Sequence, residues 1–224
     1  MVSLAEGLST TRSIRRYRDA PVTDEQLAKV LHLATRAPSG SNRQPFRFVV
    51  LRNGPQAKIV RSLLAEGASD VWEAKRSRGE FGEPKPGSRT ARMMASMEHY
   101  VATFADAPVI VLPCMVRYRE PTVTEGASIY PAVQNLLLGA RSVGLGGALT
   151  MFHQTRESQI RAALEIPDEA FISATLTLGV PAGKHGPVRR KPLDQLVFED
   201  QWDGVPVWAT DPEGTRFSGG PKKV

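Results

Sequence analysis

Two short stretches of the chain concentrate side chains suited to gripping an anion and a polar ring. The first runs from Thr11 to Tyr17 and reads TRSIRRY. The guanidinium forks of Arg12, Arg15 and Arg16 match the oxygens of a phosphate, and the Ser13 hydroxyl adds a neutral donor. Ile14 and Tyr17 supply apolar anchors between them. Read alone, the segment fits a solvated basic face equally well. The second runs from Ala37 to Phe46 and reads APSGSNRQPF. Pro38 and Pro45 restrict the backbone at its two ends, and Gly40 permits close approach of a ligand. Between them stand the hydroxyls of Ser39 and Ser41 and the carboxamides of Asn42 and Gln44. A carboxamide both donates and accepts hydrogen bonds, as the edge of a nitrogen heterocycle requires. The simpler alternative is a capped turn.

Other chemistries find little support. The histidines, His32, His99, His153 and His185, form no H-x-H or H-x-x-x-H pair, and Cys114 has no second thiol, so no metal site is expected. Cys114 reads as a small buried hydrophobe. No G-x-S-x-G elbow occurs. Gly144, Gly146 and Gly147 lack dinucleotide-fingerprint spacing and follow a helix rather than a strand, which argues against a Rossmann nicotinamide domain.

The elements that must position these stretches follow from periodicity and caps. Thr23 with Gln26 forms a capping box opening a helix whose apolar face is Leu27, Val30, Leu31 and Ala34. Phe46, Phe48 and Val50 predict a strand ended by Asn53-Gly54-Pro55. A helix resumes over 56–66. From Gly67 to about Arg92 the chain is charged and carries Gly79, Gly82, Pro84, Pro86 and Gly87, which predicts a linker or a lid. Met93, Met94 and Met97 follow and read first as helix-packing residues. Ala107 to Met115 predicts a buried strand. Ser128 caps a helix to about Val143, with Pro131 in its first turn and Gly144 as its stop. Thr155 begins another helix. Ile172, Ala174, Leu176, Leu178 and Val180 alternate as one strand. Strands mixed with helices of crossover length predict an α+β fold around a central mixed β-sheet flanked by helices.

The chain has 224 residues, 41% hydrophobic and 23% charged, within the range of one large domain. A single cysteine rules out an intrachain disulfide framework and, with no apparent signal peptide, fits a cytoplasmic setting. No stretch reaches the roughly 20 apolar residues of a membrane span. The net charge of +6 is dispersed into short groups at Arg12–Arg16, Lys184–Lys191 and Lys222–Lys223, without interleaved aromatics. That distribution suits one or two phosphates better than nucleic acid.

Together the two stretches, about 25 residues apart, resemble the opening of the nitroreductase family, with its R-S-x-R-x-aromatic and A-P-S-x-x-N-x-Q-P-aromatic segments. Gln134 to Ala140 with Val143 to Gly146 is similar to the family's interface helix and following loop. Leu178 to Pro181 and Arg190 to Leu193 resemble its last core strand and a late basic contact. The resemblance spans about residues 8–200. It implies a nitroreductase-like fold, an intertwined homodimer, and non-covalent FMN reduced by NADPH or NADH in a ping-pong cycle. Carried over by position, Arg12, Ser13, Arg15, Arg16 and Arg190 hold the ribityl and phosphate. Pro38, Ser39 and Gly40, with Asn42 and Gln44 nearby, line the ring from the other subunit, while Leu149 and Thr150 offer backbone groups near it. The acceptor is a small, flat aromatic such as a nitroaromatic or quinone, hydride passing through flavin N5, with no side chain required as a catalytic acid. Phe81, Met94 and Met97, in a variable lid-like segment over 67–105, face the acceptor, and Arg43 or the 184–191 group contacts a 2′-phosphate, favouring NADPH. One FMN-binding domain is expected over 1–200, with the extension 201–224 packing on the partner subunit. The chain departs from many members at Thr11, where they carry a second basic residue. Two rivals stand beside this reading. One is a flavin-binding or storage protein without turnover. The other is a flavin-fragmenting, dimethylbenzimidazole-forming enzyme of the same fold, whose motif usually has Asp at the Ser13 position.

Overall fold

The computed structural model describes residues 2–213. In chain order its elements are α1 (Leu4–Thr10), α2 (Asp24–Ala34), β1 (Phe46–Leu51), α3 (Pro55–Ser77), α4 (Arg89–Ala102), β2 (Val109–Val116), α5 (Tyr130–Ser142), β3 (Gly146–Thr150), α6 (Glu157–Ala163), β4 (Ala170–Ile172) and β5 (Thr175–Gly179). The chain packs as two compact units. One comprises Val2 and Ser13–Lys184, and the other joins Ser3–Arg12 to the described residues from His185 to Glu213.

The larger unit is α+β, built on a five-stranded sheet in the order β1-β2-β5-β3, with β4 also pairing to β2. Every pairing among the described strands is antiparallel, where the sequence leads one to expect a mixed sheet. The crossover helix exists: α5 carries the chain from β2 to β3, two strands that run the same way. β5 inserts between them, so they never share hydrogen bonds.

β2 explains its uninterrupted apolar sequence. Val109, Val111 and Met115 enter a core shared with α2 and α5. Ile110, Leu112 and Cys114 enter a second core shared with α3, α4 and α6. A strand covered on both faces needs no polar alternation. Burial pushes the Cys114 thiol up to about 11, which keeps it protonated and inert.

The alternating run from Ile172 to Val180 is two strands rather than one. Cys114 faces Ile172 and Val111 faces Leu176, so three steps along β2 oppose four along its partner. The extra residue makes a bulge at Ser173–Ala174, which moves Ile172 into one core and Ala174, Leu176 and Leu178 into the other. The Tyr130 hydroxyl donates to the Ser173 carbonyl at 3.1 Å, satisfying the bulge from α5.

The expected linker or lid after Gly67 is mostly helix. α3 continues through Gly67 to Ser77, and Ser88 caps α4, its hydroxyl accepting from the Ala91 amide. Only 78–88 forms the connection. Gly67 serves as a contact: a Cβ there would lie 2.1 Å from the Phe152 carbonyl oxygen. The charges of the segment pair with one another and with α6's approach, as in Arg156–Asp70 and Arg76–Glu98. Gly67→Ala is therefore expected to cost about 2–3 kcal/mol through overpacking against backbone, although alanine ordinarily favours a helix. A urea midpoint equal to that of the parent would show that the two segments separate freely.

At the other helix ends, Thr23 and Gln26 form the expected reciprocal box, Pro131 occupies the first turn of α5, and Gly144 follows it at φ +80°. Ser128 does not cap α5; Ile129 takes the N-cap position, after a 3-10 turn over Glu125–Ser128. Likewise Thr155 falls inside a 3-10 turn, and α6 begins at Glu157.

In the smaller unit, Ser3 caps α1. The Gly186 amide donates to the Thr10 carbonyl and Val188 to Ser9, which fastens the basic run beside the end of α1. Farther on, Phe198 packs on Trp202 at 5.1 Å. The basic pair Lys222–Lys223 and the extension beyond Glu213 lie outside the described residues.

Candidate functional site

The basic segment is held as an extended strip along the end of the sheet. The Ile14 amide donates to the Gly147 carbonyl of β3 at 2.8 Å, and the Arg18 amide to Val180 at 2.9 Å. Tyr17 bridges to Pro181, and the Ala182 amide returns to Arg16. Gly179 makes room for this course, since a Cβ there would meet the Tyr17 ring at 2.7 Å. Ser13, Arg15 and Arg16 are thereby brought beside β3, the strand that carries Leu149 and Thr150. Thr150 is steadied by its hydroxyl, which donates to the Thr175 carbonyl. Arg15 is half-buried, and its Nε is shielded from solvent with no hydrogen-bond partner. A guanidinium held that way has donor capacity the protein leaves unused, and such a donor suits an anionic ligand. Arg12 and Arg190 belong to the smaller unit, where both are exposed.

The second stretch forms a tight, strained loop before β1. Ser41, Asn42 and Gln44 all have positive φ, between 50° and 52°, a region few non-glycine residues adopt. The loop is closed internally. Ser39 Oγ accepts from the Gln44 amide at 2.9 Å, and the Gln44 carboxamide donates to Asn42 Oδ1 at 3.2 Å. From outside, Ser128 Oγ accepts from the Gly40 amide at 3.4 Å. Backbone strain of this kind, held by surrounding bonds, is commonest where a chain meets a ligand.

Within one chain these two stretches do not meet. The loop leads into β1 at one sheet edge, whereas the basic strip bonds to β3 at the opposite edge. They also differ in level: Gly147 pairs with Leu178, Leu178 with Val109, and that row corresponds to the far end of β1 at Leu51. Three strand spacings and five residues of rise put them roughly 14 Å apart across the sheet and roughly 16 Å apart along it. Helices cover both faces between them.

Arg43 leaves the loop and lies over the exposed ring of Tyr118, 4.3 Å from its centroid, with Arg119 over the same ring at 5.4 Å. Arg117 next to them is paired to Glu125 at 2.6 Å. That pairing raises the Arg117 pKa and holds the Glu125 carboxyl below its ordinary range. No local pattern marked Tyr118 or Arg119 in the sequence, since only the turn after β2 carries them to Arg43.

The expected acceptor residues are scattered among packing roles. Phe81 stacks on Trp72 at 5.2 Å, and Met97 packs into the core beneath α3. Met94 is half-buried on α4. The groove between α3 and α4 is lined instead by Ser69, Trp72, Glu73, Arg76, Ser77 and Val101.

Burial shifts several of the described titratable groups. Burial raises the pKa of Tyr17 and Tyr100 well above the phenol range. It lowers that of His153, whose Nδ1 meets Thr175 Oγ1 at 3.1 Å. No helix among the described residues is long and apolar enough to cross a membrane.

Known proteins resemble this chain in sequence and in fold. The NADH dehydrogenase of Thermus thermophilus is 31% identical over 198 residues, 84% of this chain and 91% of its own. The 4-nitrobenzoate reductase of a Nocardioides species is 29% identical, over 83% of this chain and 85% of its own. A solved Desulfovibrio desulfuricans structure, described as a nitroreductase in complex with FMN, superposes with a TM-score of 0.64 at 28% identity, covering 88% of this chain and 96% of that one. The family model for the nitroreductase family matches residues 8–180, which takes in the basic strip, the strained loop and the whole sheet, and the chain belongs to that family.

Proposed function

We propose that the protein is an FMN-dependent oxidoreductase that takes reducing equivalents from NAD(P)H and passes them to small, flat, electron-poor acceptors such as nitroaromatics or quinones. The observation that carries this reading is the basic strip beside β3, with a buried, unpartnered guanidinium nitrogen on Arg15. The donor set fits the cofactor. Ser13, Arg15 and Arg16 would hold its phosphate and ribityl chain. Leu149 and Thr150 would present backbone groups to its ring. Thr11 adds no charge, which leaves more of the phosphate to Arg16. Bound FMN would supply the two-electron chemistry itself, through N5. The protein's part is to orient donor and acceptor in turn on one face, a ping-pong order. No described side chain needs to act as an acid, because the reduced ring and water can supply protons.

A homodimer supports the site best. Pro38, Ser39 and Gly40, with Asn42 and Gln44, stand at the sheet edge opposite the strip, so a second chain would bring them to the ring. The extension from residue 201 would pack on that partner. Trp202 and Val207 are 83% and 97% exposed, which is unusual for large apolar side chains left to water. Lining of the acceptor pocket by Phe81, Met94 and Met97, and a cytoplasmic setting, belong to the same proposal. Arg43, with Arg119 beside it, offers positive charge for a 2′-phosphate and favours NADPH over NADH. Relatives named for NADH oxidation and for nitrobenzoate reduction support the donor and acceptor classes.

The purified protein is expected to show oxidised-flavin absorption that bleaches on anaerobic NADPH and returns with a nitroaromatic. A protein that stays colourless after reconstitution with FMN would sink the reading. Colour that NADPH and NADH both fail to bleach would favour flavin storage. Equal kcat/KM for the two donors would remove the role given to Arg43.

A further inference from the structure

A buried chain of three hydroxyls runs from α4 to the basic strip. Tyr17 Oη lies 2.8 Å from the Ile14 carbonyl and 2.7 Å from Thr177 Oγ1. Thr177 Oγ1 lies 2.7 Å from Tyr100 Oη. Each hydroxyl has one proton, and a carbonyl can only accept, which fixes the direction of the chain. Tyr17 spends its proton on Ile14, so Thr177 donates to Tyr17 and Tyr100 donates to Thr177. Burial raises the pKa of both phenols, which keeps them protonated and preserves this order at neutral pH.

The far end of the chain is the peptide between the two candidate ligand residues Ser13 and Arg15. Ile14 is clamped on both sides, its amide to Gly147 at 2.8 Å and its carbonyl to Tyr17. Arg15 also leans toward the same helix, its guanidinium 5.9 Å from the centre of the Tyr100 ring. Tyr100 is 1% exposed and packs edge-on to Phe104, so its position is set by the core rather than by solvent.

We propose that Tyr100 and Thr177 are positioning residues for anion binding, holding the Ile14 peptide so that Ser13 and Arg15 are presented to the ligand's phosphate. The inference rests on the reading of the strip as the FMN phosphate site. It makes α4, in the stretch least like the family pattern, a support for the cofactor.

FMN and riboflavin share the ring and ribityl chain and differ by the phosphate, so they separate a phosphate effect from general damage. Apoprotein is titrated with each by quenching of flavin fluorescence, for the parent chain and for Tyr100→Phe, Thr177→Val and Thr177→Ser. Loss of one buried hydrogen bond in the support is expected to raise the Kd for FMN about tenfold in Tyr100→Phe and Thr177→Val. Riboflavin affinity should stay within about twofold, as losses confined to phosphate contacts require, and Thr177→Ser should restore FMN binding. Unchanged FMN affinity in Tyr100→Phe would overturn the proposal, as would equal weakening of both flavins. A parent chain binding FMN no more tightly than riboflavin would overturn the phosphate assignment, and one binding neither would overturn the flavin reading itself.

Discussion

Arg61→Met is expected to lower the stability of the protein by about 4 kcal/mol, a large share of the roughly 5–15 kcal/mol typical of folded domains. Arg61 is only 9% exposed, and among the described residues no carboxylate forms an ion pair with its guanidinium. All three of its nitrogens donate to backbone carbonyls. Nε reaches Arg52 at 2.9 Å, Nη1 reaches Ala105 and Ala107 at 2.7 and 2.6 Å, and Nη2 reaches Leu51 and Pro108 at 3.0 and 3.3 Å. One side chain from α3 thus ties the end of β1 to the entry of β2. Burial pulls its pKa below the ordinary guanidinium value, and the nearby Asp106 opposes that pull. Methionine fills similar volume but leaves five acceptors without donors, two of the bonds lying in the buried interior. Thermal melting should show a fall of roughly 10 °C. Arg61→Lys keeps the charge yet lacks the planar fork, so it should recover only part of the loss. A fall of less than about 1 kcal/mol for methionine would mean that water reaches these carbonyls and the knot is dispensable.

Arg15→Met is expected to weaken FMN binding about 100-fold, the effect of removing two charge-assisted hydrogen bonds to phosphate. The accompanying change in stability distinguishes this site from a structural one. Arg15 Nε is buried without a hydrogen-bond partner, which offsets its contact with the Tyr100 ring, so the apoprotein should melt within a few degrees of the parent after the substitution. The rise in melting temperature produced by FMN should largely disappear, because ligand stabilisation scales with affinity. Arg15→Lys, a point charge without the fork, should fall between. If the apoprotein of Arg15→Met is strongly destabilised while FMN still raises its melting point as in the parent, Arg15 is a structural residue and the phosphate contact lies elsewhere in the strip.

The opposite-edge arrangement bears on the second of these results. Within one chain the strip and the strained loop are separated by the whole sheet, so if the proposed homodimer forms the site, a variant that impairs it is expected to lose the proposed ring contacts while keeping the proposed phosphate contacts. Arg15→Met reaches only the latter.

Local chemistry was legible from the sequence because its causes lie within a few residues. The Thr23–Gln26 box, Pro131 in a first turn and Gly144 in a left-handed position each satisfy backbone groups next to them. The two motifs could be read for the same reason, since each is a short contiguous stretch, and the family they resemble is the one the chain belongs to. Tertiary structure alone decided what depends on distant partners. Gly67 looks like a breaker until the Phe152 carbonyl lies against it, and then it becomes the condition for α3 to pack. The run 172–180 alternates as one strand, but the bulge at Ser173–Ala174 and its register against β2 belong to the pairing, not to the run. The antiparallel sheet depends on β5 entering between β2 and β3, a choice no local pattern records. Tyr17, Tyr100 and Thr177 are separated by as many as 160 positions, so only folding could line up their hydroxyls behind Ile14. The sequence determined which short stretches carry donors suited to a phosphate and a ring, and the fold decided that one chain holds those stretches at opposite edges of a sheet covered on both faces.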